Sequence, residues 1–140
     1  MFIDQSIDPT AEQVRALRDS TTDGPITMVN LLKFRAQARY AEADEAPCTG
    51  REAYARYKEA FARTVGAVSQ ASVLFHGPVD QVFIGQAGAP EADWDDVLIV
   101  RYPSRQHFLA MMADPAYREA LRHRYAGLER TVLLRSSDGH

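Results

Sequence analysis

The sequence has almost no cysteine, and this scarcity limits the chemistry it can support. Cys48 is the single cysteine among 140 residues, which excludes an internal disulfide and a metal site built from several thiolates. It lies between a proline and a threonine. We therefore interpret it as an incidental thiol in a loop, and we predict neither a metal site nor a cofactor.

Long apolar runs and a cationic leader are also missing. No stretch reaches the roughly 18 consecutive apolar residues that a membrane-spanning helix needs. The start of the chain, MFIDQSIDPT, has no cationic region. These features lead us to expect a cytoplasmic protein without a membrane partner.

An excess of positive charge is absent as well. The formal net charge is -3 at pH 7, so nucleic-acid binding would need a local basic patch on a recognised module. The nearest candidate is the set Arg118, Arg122, Arg124 and Arg130, which we interpret as a solvated helix face. We expect no nucleic-acid partner.

Apolar residues, in contrast, are plentiful. With 46% hydrophobic residues the chain can bury a core, and we expect a single domain over residues 1–140. Within it we predict an N-terminal helical extension over residues 1–24, a core over 25–135 and a disordered tail over 136–140. Residues 35–50 show no sustained period and form a long connection, of the kind that often acts as a lid.

Helix signals occur in four places. Asp8-Pro9-Thr10 offers a cap before a short amphipathic helix that should end near Gly24. Residues 51–70 predict one long helix, because their apolar residues recur at spacings of 3 and 4. Ser104 and Asp114-Pro115 predict the starts of two further helices with a bend between them. The apolar stripe of the long helix is Tyr54, Tyr57, Phe61, Val65 and Val68, and that of the last helix is Tyr117, Leu121, Tyr125 and Leu128.

Strand signals alternate with these helices. Ile26–Phe34 and Trp94–Tyr102 predict strands that are apolar on both faces, and Thr131–Arg135 predicts a final strand. Residues 72–86 hold two short β-type runs around Gly77. These runs form either one strand broken by a bulge or a tight pair of strands.

The order of these elements predicts an α+β fold. After the opening helix the order is strand, helix, strand, strand, helix pair, strand, which suits a ferredoxin-like four-stranded antiparallel sheet with its helices on one face. Strands apolar on both faces need a second cover, and a symmetric sheet-to-sheet homodimer supplies it. The alternative is a monomer in which the opening helix and residues 35–50 fold under the sheet.

Four motifs carry a family resemblance. They are MVNLLKFR (28–35), TGREAYARY (49–57), VLIVRYPS (97–104) and DPAYREAL (114–121). Their order resembles the family catalogued as domain of unknown function 1330 (DUF1330), over residues 25–134. The resemblance implies a dimeric α+β barrel with a small-ligand site between sheet and helices. That superfamily includes cofactor-free monooxygenases, isomerases, lactone-forming enzymes, haem-degrading oxygenases and ligand binders, so it implies no single activity.

Polar side chains on apolar strands are the candidates for catalysis. Asn30 lies on an apolar strand face, where a polar group must be either satisfied or used. His76 ends a strand and can exchange a proton near neutral pH. Arg101 is a permanent cation that needs a carboxylate, either Asp95, Asp96 or a substrate acid. Structural roles for all three residues are the alternative.

Aromatic residues could form the walls of a substrate site. Tyr54 and Tyr57 lie on one helix stripe and Trp94 precedes a strand, so all three are substrate-binding candidates, with core packing as the alternative for the two tyrosines. The family resemblance implies a cofactor-independent enzyme of isomerase, lyase or monooxygenase type, and together with these residues it suggests a small apolar or aromatic acid as the substrate. The alternative is a non-catalytic dimeric module that binds a small ligand or responds to stress.

Overall fold

Four strands form one antiparallel sheet in the computed structural model, which describes residues 7–41 and 46–137. The elements are α1 (Ala11–Arg18), β1 (Ile26–Phe34), α2 (Gly50–Thr64), α3 (Gly66–Ser69), β2 (Ser72–Pro78), a 3₁₀ turn (Pro90–Ala92), β3 (Asp96–Tyr102), α4 (Arg105–Ala113), α5 (Pro115–Gly127) and β4 (Leu128–Ser137). The strand order is β2-β3-β1-β4. This is the ferredoxin-like arrangement, and the predicted fold class is confirmed.

The helix caps predicted within Asp8-Pro9-Thr10, at Ser104 and at Asp114 are present, and Thr49 adds one that was not predicted. Thr10 and Thr49 each form a capping box, in which the threonine side chain accepts from the backbone three residues on and a glutamine or glutamate side chain accepts in return. The Ser104 side chain caps α4 and the Asp114 side chain caps α5. Pro115 is the first residue of α5, where its missing N–H costs no hydrogen bond.

The predicted long helix over 51–70 is wrong in its second half. α2 ends at Thr64, and α3 is a separate turn from Gly66 to Ser69. Gly66 lies at the break, and glycine has the lowest helix propensity of any residue except proline. As a result Val68 is 40% exposed, although the spacing had placed it on the buried stripe.

Only the first of the two β-type runs around Gly77 forms a strand. β2 pairs with β3, and a bulge at Leu74 shifts the register between Val73 and Phe75. β2 ends at Pro78, which lacks an N–H for the ladder, and the second run is not a strand. The Val79 N–H continues the same register with a bond to the Asp95 carbonyl. Its apolar residues Phe83 and Ile84 are 85% and 88% exposed.

The last strand is longer than predicted. β4 runs from Leu128 to Ser137, and Ser136 and Ser137 pair with the start of β1. The prediction of disorder is therefore wrong for these two residues, because antiparallel pairing with β1 satisfies their backbone. The rest of the predicted tail, 138–140, lies outside the described residues, as do 1–6 of the N-terminal extension and 42–45 of the connection.

Helices pack on one face of the sheet and form the core there. Alternate residues of β1 and β3 point into it, and Ile26, Leu32 and Tyr102 are at most 5% exposed. Ile7 joins the same core, and α1 contacts α4. The described part of residues 35–50 bonds to the end of α5, where Arg35 N–H donates to the Gly127 carbonyl at 2.8 Å. The monomeric alternative required the opening helix and residues 35–50 to cover the other face of the sheet. In the described residues, neither of these segments does so.

We name that other surface the open sheet face. Two rows of apolar residues run across this face in register, and each row takes one residue from every strand. The first row is Phe75, Ile99, Val29 and Leu134, and the second is Gly77, Val97, Leu31 and Val132. Phe75 and Leu134 are each 53% exposed. The sequence pattern of strands apolar on both faces thus produces a continuous apolar surface on a single chain.

Candidate functional site

A small cavity lies between the sheet and the helices. Its volume is about 50 Å³, enough for a few waters or a small polar group. Its polar lining residues are Asn30 from β1, Tyr54 and Tyr57 from α2, Tyr102 from β3, and Tyr117 and Arg124 from α5. This concentration of phenols around one guanidinium, inside an otherwise apolar core, makes the cavity the candidate site.

The tyrosines of the cavity pack against one another. The ring centroids of Tyr54 and Tyr57 are 5.2 Å apart, and those of Tyr57 and Tyr117 are 6.4 Å apart. Burial raises the pKa of Tyr54 to about 12 and that of Tyr57 well above its usual value. Burial also raises the pKa of Tyr102. These phenols therefore stay neutral at physiological pH and can donate hydrogen bonds.

Arg124 is the charged group of the cavity. Its side chain is only 14% exposed, Nη1 donates to the Ile7 carbonyl at 2.7 Å, and Asp8 lies 3.9 Å away. Burial opposes its charge, but Tyr57, Tyr117 and the other acidic groups around it outweigh that effect and raise its pKa. The cavity thus contains a permanent cation whose nearest carboxylate among the described residues is at the limit of an ion pair.

The prediction of a solvated arginine face is wrong for two of its four members. Arg124 points into the cavity, and Arg130 stacks on Trp94 with its Cζ 4.4 Å from the ring centroid. Arg118 and Arg122 are exposed as predicted. Arg124 was predicted to be exposed because it is charged, although its spacing from neighbouring leucines indicates the buried side of α5. It stands three residues after Leu121 and four before Leu128, on the apolar stripe of α5.

Asn30 and the two tyrosine candidates meet at the cavity. Asn30 lies on the helix-facing side of β1, and its Nδ2 donates to the Leu98 carbonyl at 2.9 Å. Tyr54 and Tyr57 line the cavity beside it. Three of the six residues singled out from the sequence are therefore neighbours.

His76 belongs to a different group, which we name the Asp96 cluster (Arg51, Lys58, His76 and Asp96). The Asp96 carboxylate is 3% exposed, and it accepts from Arg51 Nη1 at 2.9 Å and lies 3.1 Å from His76 Nε2. The other ring nitrogen of His76 is 3.0 Å from Lys58 Nζ. Burial lowers the pKa of Lys58, an effect that Asp96 opposes and Arg51 reinforces. The cluster joins α2 to β2 and β3.

Arg101 lies away from both groups. It points to the open sheet face, where it is in register with Thr27 and Ser72. Asp96 faces the helices instead, because five residues separate the two along one strand. Asp95 lies about 20 Å further along the strand and bonds to the Phe34 N–H. The expected pairing of Arg101 with either aspartate is therefore wrong.

Trp94 lies outside the cavity lining, in the loop before β3. Its indole N–H donates to the Glu91 carbonyl at 2.8 Å, and Arg130 covers its ring. Arg130 in turn donates to the Asp93 backbone and side chain. Trp94 thus anchors the loop between the 3₁₀ turn and β3.

The described residues offer neither a cluster of metal ligands nor a membrane-spanning helix. Over residues 7–41 and 46–137, no three His, Cys, Asp or Glu side chains are grouped in a way that could hold a metal ion. Among the helices in the described part of the chain, none is both long and apolar enough to cross a membrane.

Fold and cavity together define a ferredoxin-like α+β protein with a small cavity between its sheet and its helices. The chain belongs to the family described as domain of unknown function (DUF1330), which matches residues 39–136. The predicted family is therefore confirmed, although the MVNLLKFR motif lies before the matched region.

The chain is also similar to solved structures. The chain is 36% identical to RPA0582, a protein of unknown function from Rhodopseudomonas palustris, with 96% of this chain and 97% of that chain covered and a TM-score of 0.84. A structure of methylated RPA0582 is 38% identical over 96% of this chain and 95% of that one, with a TM-score of 0.79. No curated protein matches the chain significantly.

Proposed function

We propose that the protein is a homodimer, each chain a single domain, that binds a small carboxylic acid between its sheet and its helices. The buried guanidinium of Arg124 in the cavity carries this proposal. A carboxylate is the ligand group whose charge and shape a guanidinium recognises best. The phenol of Tyr117 and the amide of Asn30 add polar contacts at the same cavity.

The size of the cavity selects among acids. Benzene binds in an engineered protein cavity of about 150 Å³, whereas this cavity measures about 50 Å³. An acid of a few heavy atoms therefore fits without rearrangement, and an aromatic acid does not. We accordingly favour short aliphatic acids over the aromatic class considered from the sequence.

Binding is favoured over catalysis by the three residues proposed from the sequence. Asn30 lines the cavity, His76 is engaged with Lys58 and Asp96, and Arg101 lies on the open sheet face. Residues that act on one substrate must be within hydrogen-bonding distance of a common point. The separation of these three residues supports a role for Asn30 in contact with the ligand. It supports no role for His76 or Arg101 in binding that ligand.

The open sheet face supports the homodimer. Its two apolar rows are bordered by polar and charged positions, with Thr27, Arg101 and Ser136 at one end and Lys33 and Arg130 at the other. An apolar band with a polar rim is typical of a protein interface, and a twofold axis through its centre pairs the band with itself. A second copy of the chain is therefore the occupant we propose.

Ligand binding is tested by thermal unfolding and calorimetry with acetate and with its uncharged isostere acetamide. A ligand at a hundred times its Kd stabilises the folded state by about 2.7 kcal/mol, so acetate should raise Tm and acetamide should not. Arg124→Met should abolish the shift, whereas Arg118→Met, an exposed position on the same helix, should preserve it. Tyr117→Phe, which removes one hydroxyl, should weaken binding without threatening the fold.

Two outcomes would contradict the binding proposal. One is that short acids from formate to butyrate leave Tm and heat unchanged. The other is that a folded Arg124→Met protein still responds to acetate.

The homodimer is tested separately by light scattering coupled to size exclusion. The wild type should elute with twice the 15.6 kDa chain mass. Val29→Glu, at the centre of the open sheet face, should give monomers, and Arg63→Glu, on the exposed side of α2, should not. A wild-type monomer at micromolar concentration would refute the dimer and leave the binding proposal standing.

A further inference from the structure

The Asp96 cluster has a directional hydrogen-bond chain. A lysine ammonium can only donate, so the ring nitrogen that faces Lys58, Nδ1 of His76, must be the acceptor at 3.0 Å. The proton of neutral His76 is then on Nε2, which donates to Asp96 at 3.1 Å. Arg51 completes the order by holding both carboxylate oxygens, at 2.9 and 3.0 Å. The unprotonated nitrogen of the imidazole is thus aimed at the lysine amine.

This order has the geometry of an activated nucleophile. Such sites place a nucleophile within hydrogen-bonding distance of a base and use a third group to orient that base. Here Lys58 is the nucleophile, His76 the base and the buried Asp96 the orienting group. Lys58 and His76 are partly accessible, with 29% of the His76 side chain exposed, so a solute can reach the amine.

We propose that Lys58 is a reactive amine that forms an imine with small aldehydes, and that His76 is its proton acceptor. His76 Nδ1 takes one proton from the Lys58 ammonium, which frees the nitrogen lone pair. The lone pair attacks the carbonyl carbon, and the carbonyl oxygen takes one proton from the attacking nitrogen and one back from His76 and leaves as water. The product is a protonated imine on Lys58, and no oxidant or reductant takes part.

The chain contains its own control for this chemistry. It has two lysines, Lys33 and Lys58. Lys33 Nζ lies 3.1 Å from Asp93 and 3.5 Å from Asp95, and the hydrogen bond to Asp93 raises its pKa. Lys58 faces a neutral acceptor, and burial lowers its pKa. The pKa of Lys58 therefore lies below that of an ordinary lysine, and the pKa of Lys33 lies above it.

The experiment measures site-resolved imine trapping on the full-length protein. Propanal and cyanoborohydride at neutral pH convert each imine into a stable propyl-lysine, which peptide mass spectrometry assigns to position 33 or 58. Lys58 should react at least about tenfold faster than Lys33, because a positioned proton acceptor typically accelerates proton transfer by about 10²–10⁴-fold, whereas the Lys33 ammonium faces the carboxylates of Asp93 and Asp95. His76→Gln keeps a hydrogen-bonding side chain without a base, and it should slow Lys58 by about tenfold while leaving Lys33 unchanged. Lys58→Arg should remove the fast site.

A pH profile separates proton transfer from simple positioning. In the wild type, labelling of Lys58 should begin at lower pH than labelling of Lys33, and in His76→Gln the Lys58 profile should move toward alkaline pH. Equal labelling rates for the two lysines would overturn the proposal. An unchanged Lys58 rate in a folded His76→Gln protein would overturn it as well.

Discussion

The guanidinium of Arg124 donates a hydrogen bond of 2.7 Å to the carbonyl oxygen of Ile7, 117 residues earlier in the chain. Ile7 is 7% exposed and belongs to the core, and Asp8 adds a carboxylate 3.9 Å from the same guanidinium. One side chain therefore both lines the cavity and fixes the segment that leads into α1. Ligand binding and the order of the N-terminal segment share a residue.

Replacing Arg124 should loosen the N-terminal segment. Arg124→Gln removes a charge-assisted hydrogen bond, worth about 1.5–3 kcal/mol for a charged donor. Hydrogen exchange over residues 7–18 should accelerate accordingly, while exchange in β1 and β3 should change little. Arg118→Gln on the exposed side of α5 is the matched control. Equal exchange in both variants would show that Arg124 does not hold this segment.

Two glycines test the close approach of α2 and α5. A Cβ on Gly127 would meet the Gly50 carbonyl oxygen at 2.5 Å, whereas a Cβ on Gly66 would meet no atom within 4 Å. Gly127→Ala should therefore destabilise the protein by about 1–3 kcal/mol through forced separation of the helices. Gly66→Ala should be neutral or stabilise by up to about 1 kcal/mol. Urea denaturation of both variants measures the difference, and similar values for the two would contradict the close approach.

The Asp96 cluster predicts an asymmetry between its two ionic partners. Arg51→Met leaves a carboxylate that is 3% exposed with one donor fewer, whereas Asp96→Asn leaves a guanidinium whose side chain is 58% exposed to water. We expect Arg51→Met to cost about 2 kcal/mol and Asp96→Asn about 1 kcal/mol, because stranding a buried charge costs more than stranding a hydrated one. Denaturant unfolding at neutral pH tests this order, and the reverse order would contradict the assigned burial.

Alkaline pH should destabilise the protein through the buried tyrosines. Burial raises the pKa of Tyr54 from 10.0 to about 12 in the folded state. The unfolded chain therefore releases this proton first, and the stabilisation is complete below pH 10 and is lost as pH rises toward 12. The loss is roughly 1.4 kcal/mol per pH unit for one tyrosine. Unfolding free energies and tyrosinate absorption measured together should show it.

Tyr54→Phe supplies the control for the alkaline prediction. It removes one titrating phenol and keeps the ring that packs against Phe34 at 5.5 Å. The slope of stability against pH should become shallower above pH 10. An identical slope would mean that Tyr54 titrates normally in the folded protein.

The predictions from sequence succeeded where the signal was local. Thr10, Ser104 and Asp114 cap helices as expected, since a cap depends on residues within one turn. The limits of β1 were correct because a mainly apolar run lies between a proline and a charged segment. Errors occurred at Gly66 and in the Val82–Gln86 run, where helix continuity and strand pairing depended on partners elsewhere.

The candidate site was predicted only in part. Asn30, Tyr54 and Tyr57 were found because each interrupts or extends an apolar pattern. Arg124 was taken for a surface charge, although its spacing from Leu121 and Leu128 placed it on the buried side. His76 was found without its partner Lys58, which is 18 residues away on another element.

The sequence by itself determined the order of helices and strands, their caps and the apolar character of both strand faces, because these properties follow from neighbours within a few residues. Tertiary structure alone decided which polar side chains meet. Strand register placed Asp96 and Arg101 on opposite faces, and helix packing brought Arg124 to Ile7 and Lys58 to His76. Contacts between distant residues depend on how whole elements pack, and no local pattern records that packing.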